Sequence, residues 1–185
     1  MAAGLIGRVR RAILAGALAT AAVTLAGCAN LDAPQTGAPA TPVGSPAAGP
    51  GAVAARAAVF EALGQSNLIV AESATPFRPP EAASLAAVPR NVYEVTLPKD
   101  PDEGFIVVYE LPSEAEASAA AEAQREYLAS GPGRVQSPPG TDHVIQQLGP
   151  ALIVYDWLPA DAEDPNAPRV AEALRTIGTT FSVAP

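Results

Sequence analysis

Ile106-Val107-Val108-Tyr109-Glu110-Leu111-Pro112 and Leu152-Ile153-Val154-Tyr155-Asp156-Trp157-Leu158-Pro159 are two near-continuous runs of β-branched and aromatic residues, each stopped by proline. Apolar runs of this length between turn signals read as strands covered on both faces. A partner precedes each run. Asn91 to Leu97 alternates, with Tyr93, Val95 and Leu97 opposite Glu94 and Thr96, and a polar turn over Pro98 to Glu103 joins it to the first run. Val144 to Leu148 and a tight Gly149-Pro150 turn precede the second. Two hairpins are therefore expected.

A helix signal follows each hairpin. Ser113 with Glu116 three residues later is a capping box, and the Ala-rich stretch to Leu128 stops at Ser130-Gly131-Pro132. The last helix begins near Asn166 to Pro168 and places Val170, Ala173, Leu174 and Ile177 on one stripe before Gly178. Val53 to Leu63 reads as an N-terminal helix with Arg56, Val59, Phe60 and Leu63 on one face. Asn67 to Ala71 reads as a short buried strand, and Thr75 to Pro89 as an irregular surface excursion. The expected fold is α+β, a two-layer sandwich. Its antiparallel sheet comes from two β-hairpins, each followed by a helix, with the N-terminal helix in addition. Tyr109 and Tyr155 lie 46 positions apart in matching contexts. Duplication of one half and convergence of two similar strands both account for this.

Outward from these runs, the 185 residues divide into three unlike segments. In residues 1–27, Arg8, Arg10 and Arg11 precede a charge-free stretch from Ala12 to Ala26. Fifteen residues are short for a spanning helix, which takes roughly 20. A basic flank and a short apolar run read as a secretory signal peptide. Its end, Leu25-Ala26-Gly27-Cys28, resembles the lipobox of bacterial lipoproteins. The resemblance implies diacylglycerol on the Cys28 thiol, cleavage before Cys28, and acylation of the new amino terminus. It places the protein on the cell membrane or outer membrane, its domain on the extracytoplasmic side, with the membrane itself as a partner. Two or three acyl chains anchor stably where one does not.

Residues 28–52 read as the lipidated cysteine and a tether. Sixteen of the 24 residues from Ala29 to Ala52 are Ala, Pro or Gly, too little apolar surface to offset ordering entropy. Such a chain spans roughly 27 Å when flexible and about 75 Å when stretched toward polyproline.

Residues 53–183 form the segment able to fold as one globular domain. It holds 8 basic and 18 acidic side chains, and Leu, Ile, Val and Phe make up 32 of its 131 residues. That apolar share clears the floor for a globular core. The acidity argues against nucleic acid, whose phosphates demand basic stripes. The stretch from Val92 to Phe181 resembles small bacterial lipoproteins of unassigned activity, in which such a strand precedes a final amphipathic helix, a Gly and a Phe. Here these are Leu174, Gly178 and Phe181. The resemblance implies location and fold.

Site chemistry is sparse. One Cys forbids an internal disulfide or a zinc ribbon. No phosphate-cradling loop, nucleophile elbow or two-His metal pair occurs, so no cofactor, metal site or catalytic set is assigned. His143 is the single imidazole, with Ser137 and Asp142 near it in sequence. Acidic groups Asp100, Asp102, Glu103 and Asp161, Glu163, Asp164 read as solvated turns. Tyr109, Tyr155 and Trp157 are the candidate binding surface. The expected role is binding or structural, with an envelope protein as a possible class of partner. A carboxylate-dependent envelope hydrolase is the alternative.

Overall fold

The computed structural model describes residues 49–184. The signal segment, Cys28 and the tether up to residue 48 lie outside the described residues.

The elements run α1 (Pro50–Gln65), β1 (Val70–Glu72), β2 (Arg90–Val95), β3 (Phe105–Glu110), α2 (Glu114–Ala129), α3 (Gly131–Gln136), β4 (Asp142–Leu148), β5 (Ala151–Trp157), α4 (Ala167–Leu174) and β6 (Thr179–Thr180). The six strands form one antiparallel sheet in the order β1-β2-β3-β5-β4-β6. The two hairpins are present, and the two apolar runs become the central pair. Val107 lies opposite Val154, and Val108 opposite Ile153. The class is α+β.

The layer count differs from expectation. Tyr93, Val95, Ile106, Val108, Val144, Ile153 and Tyr155 point to one face, where α1 and α4 supply Val59, Leu63, Val170 and Leu174. Val107, Tyr109, Ile145, Leu152 and Val154 point to the other, covered by Ala117, Ala121 and Leu128 of α2 and by Leu85. The sandwich therefore has three layers. Its cause is the hand of the crossovers. β3 runs parallel to β4, and β5 parallel to β6, so β3–α2–β4 and β5–α4–β6 are both crossover connections. Both step the same way across the sheet from strands that run oppositely. A fixed right hand then puts their helices on opposite faces.

The same geometry decides the 46-residue repeat. Between the unit β2-β3-α2 and the unit β4-β5-α4, strand direction, lateral order and covered face all reverse. Reversal of three axes is an inversion, which no rotation reproduces. The units have opposite hands, so no rotation superposes one on the other.

Further corrections are local. Helix α1 begins at Pro50, inside the expected tether, because Pro suits a first turn and Gly51 and Ala52 pack into the domain. The strand expected at Asn67 to Ala71 is a three-residue edge, with Ile69 exposed and Leu68 alone in the core. Asn67 has φ 55°, a left-handed residue that ends the α1 turn and breaks the strand. Thr75 to Pro89 is no surface excursion. Leu85 is fully buried, Phe77 stacks on Phe105 at 4.6 Å, and Gln124 of α2 accepts from the Ala82 amide at 2.7 Å and donates to Pro80 O at 2.9 Å. Ser130 is not a stop alone: its hydroxyl accepts from the Gly133 amide and caps α3.

Candidate functional site

The sheet has two unlike ends. At one, the Gly49 amide donates to Glu110 Oε2 at 2.8 Å, so a carboxylate holds the N-terminus of α1 where its dipole is positive. Gly51 lies against Pro150 of the β4–β5 turn, and a Cβ there would come within 2.6 Å of the proline ring. The chain thus enters the domain beside the β4–β5 turn.

At the other end lie the β2–β3 turn, the start of β4 and the segment after β5. The two acidic turns of the sequence meet here. Asp100 Oδ2 accepts from the backbone amides of Glu163 and Asp164 at 3.0 and 2.8 Å. Asp164 returns the bond, Oδ2 accepting from the Lys99 amide at 3.1 Å and Oδ1 from the Asn166 amide at 2.9 Å. Those amides hold the Asp164 carboxyl below its usual range. Both clusters had read as solvated turns; two of their carboxylates instead fasten one loop to the other.

Their remaining carboxylates ring a cleft of about 350 Å³. Asp102, Glu103, Asp161 and Glu163 line it above Tyr155, Trp157 and Leu158. Burial, then the neighbouring Asp100 and Asp102, raise the Glu103 carboxyl above its usual range. Beyond the end of β5 a second hollow of about 270 Å³ shares Glu103, Trp157, Leu158 and Asp161 with the first and adds Phe77, Ser137, Thr141 and Asp156.

Trp157 is half-buried, and its indole N–H donates to Asp142 Oδ2 at 3.0 Å. Arg175 donates to both Asp142 oxygens at 2.6 Å. The indole wall of the cleft is thereby held in place. On the opposite face, His143 Nδ1 lies 2.7 Å from Asp156 Oδ1. Asp156 Oδ2 and Ser137 Oγ are sealed from solvent without a hydrogen-bond partner. Buried polar atoms of this kind are uncommon and call for an explanation.

The candidate surface of Tyr109, Tyr155 and Trp157 does not assemble. Both tyrosines are essentially fully buried, and strand alternation sends them to opposite faces. Tyr109 donates to Glu81 Oε2 at 2.7 Å, and Glu81 is ion-paired with Arg78 at 2.9 Å. Tyr109 is thus a core residue with a polar anchor. Tyr155 floors the cleft from below, and only Trp157 presents a half-exposed aromatic to it. Sequence reasoning missed Asp156 as the partner of His143. The signal was available in the tight Gly149-Pro150 turn: counting back along both strands sets His143 opposite Asp156. It missed Glu81 and Gln124 because nothing local marks a loop carboxylate or a helix glutamine as buried.

No family model, curated protein or solved structure matches the chain. Among the described residues, no three His, Cys, Asp or Glu side chains are placed to hold a metal ion together, and no helix is long and apolar enough to cross a membrane.

Proposed function

We propose that the chain is an exported, lipid-anchored protein of the bacterial cell envelope whose domain binds a ligand or a partner protein in the cleft at the end of its sheet. The anchoring part rests on Leu25-Ala26-Gly27-Cys28 behind a basic, then apolar, leader. The observation that carries the binding part is the position of the cleft. The chain enters beside Glu110 and Pro150, and the cleft lies at the other end of a seven-residue strand. At about 3.3 Å per residue, that is roughly 20 Å away. The cleft is thus at the end of the domain opposite the point where the chain enters.

Labelling with palmitate tests the anchor. The native chain should take up label and lose its leader. Cys28→Ser should take up none and keep it. Equal processing of the two overturns the lipoprotein reading.

A hydrolase using carboxylates is the second reading. Glu103 supports it, as a carboxyl with a raised pKa sharing a concave site with Asp161. Glu103→Gln would then abolish turnover of a hydrolysable envelope substrate while leaving its binding intact.

A further inference from the structure

We propose that the occupant of the cleft is a basic polypeptide segment, which sets Lys or Arg side chains against the rim carboxylates and an apolar side chain against Trp157. The inference rests on the cleft being a binding site and names the partner it selects.

The rim supplies the charge. Asp102, Glu103, Asp161 and Glu163 are all exposed, and among the described residues none of their carboxylates makes a hydrogen bond or an ion pair. Elsewhere Glu72, Glu81 and Asp142 are matched by Arg56, Arg78 and Arg175. Lys99 is the single base lining the cleft. Walls of one sign concentrate partners of the other.

The spread of these charges selects a polypeptide. Among the described residues no three carboxylates are placed to hold one metal ion together. They are strung out instead. Glu103 and Asp161 also line the hollow of about 270 Å³, and Glu163 also lines a third hollow of about 330 Å³. Trp157 is common to all three. One small amine fills one hollow and meets a fraction of the charge. A chain with cations on alternate residues reaches several carboxylates at once and lays the residue between them on the indole.

The surface is also held ready. The bond to Asp142, which Arg175 grips in turn, fixes the indole, and Asp100 and Asp164 fasten the two rim loops together. A rigid, half-exposed tryptophan inside a charged rim suits the anchor of a protein interface, because little side-chain freedom is lost on docking.

Trp157 is the single tryptophan, so its fluorescence reports occupancy directly. The full chain in detergent would be titrated with the blocked peptide Arg-Leu-Arg-Leu-Arg, with its Gln-Leu-Gln-Leu-Gln and Glu-Leu-Glu-Leu-Glu counterparts, and with N-butylguanidinium. Saturable binding of the arginine peptide is expected, with the other three probes at least tenfold weaker. Raising the salt from about 50 to about 500 mM should weaken it several-fold, since exposed charges are screened. Asp161→Asn combined with Glu163→Gln should weaken it at least tenfold. Neither carboxylate holds a bond, so the melting temperature of that variant should not fall. Glu126→Gln, an exposed charge on α2, should leave binding unchanged.

Equal binding of the glutamine peptide, or tighter binding of the glutamate one, overturns the basic partner while leaving the cleft a binding site. Butylguanidinium binding as tightly as the arginine peptide overturns the polypeptide assignment in favour of a small cation. A double-variant effect no larger than that of Glu126→Gln overturns the role of the rim. A flat response to all four probes overturns both the proposal and the reading beneath it.

Discussion

His143 and Asp156 stand opposite one another in the β4–β5 ladder, with Nδ1 and Oδ1 2.7 Å apart and side chains only 9% and 12% exposed. The pair ties the open end of the hairpin on the face covered by α2. It leaves the second carboxylate oxygen buried without a hydrogen-bond partner.

Removal of the imidazole should therefore cost more than its contact alone. His143→Leu leaves a buried carboxylate with neither oxygen paired, and breaking a buried pair in this way costs about 3–5 kcal/mol. Asp156→Asn retains an acceptor for the imidazole and should cost distinctly less. Urea denaturation of the two variants at pH 7 compares them, and equal losses would show that the pair is not a unit.

The buried tyrosines predict alkaline instability. Burial raises both phenols above the ordinary value of 10, and for Tyr109 the bond to Glu81 adds to it. Below pH 10 the phenols are protonated in both folded and unfolded chains, and their contribution is fully present. Above it the unfolded chain loses protons that the folded chain keeps, so stability falls as pH rises. Each tyrosine contributes a slope of about 1.4 kcal/mol per pH unit. Denaturation between pH 8.5 and 11 should show the fall, and Tyr155→Phe should make it shallower.

Gln124 spans α2 and the 75–89 segment through two hydrogen bonds. Gln124→Leu preserves volume but leaves the Ala82 amide and the Pro80 carbonyl unpaired, at about 1–3 kcal/mol for each buried group. The amides of Leu85 and Val88, which bond within this segment, should then exchange faster than those of β3. Uniform exchange changes across the domain would mean that the segment does not open on its own.

Leu174 is fully buried among Val170, Ile153 and Tyr155, whereas Glu172 two positions earlier is exposed. Leu174→Ala should cost about 2–5 kcal/mol through lost transfer energy and a residual cavity. Glu172→Ala should cost well under 1 kcal/mol. Thermal melts of the two variants check this, and equal shifts would mean that α4 is not docked on the sheet.

Much of the fold is legible without coordinates. The alternation of Tyr93, Val95 and Leu97, the Gly149-Pro150 turn, the Ser113–Glu116 box and the stripe from Val170 to Ile177 are local signals. Strand pleat, turn geometry, capping and helix period act within a few residues, so sequence alone determined the two hairpins and the helices that follow them. The capping box is seen as read: Ser113 Oγ accepts from the Glu116 amide at 3.2 Å. The apolar runs likewise determined that β3 and β5 would be covered on both sides.

Tertiary structure decided which helix covers which face. That choice depends on β3 pairing with β5 and β4 with β6, pairings between segments far apart in the chain. No local pattern encodes them, and the hand of the crossovers acts only once they exist. The cleft is of the same kind. Asp100 and Asp164 read separately as turn charge, and each becomes a loop fastener only because the other's loop supplies amides 63 to 65 residues away. Tyr109 and Tyr155 look equivalent along the chain, yet opposite pleats bury them on opposite faces. Residue type determined what each side chain could do, and long-range pairing decided which neighbours it would do it with.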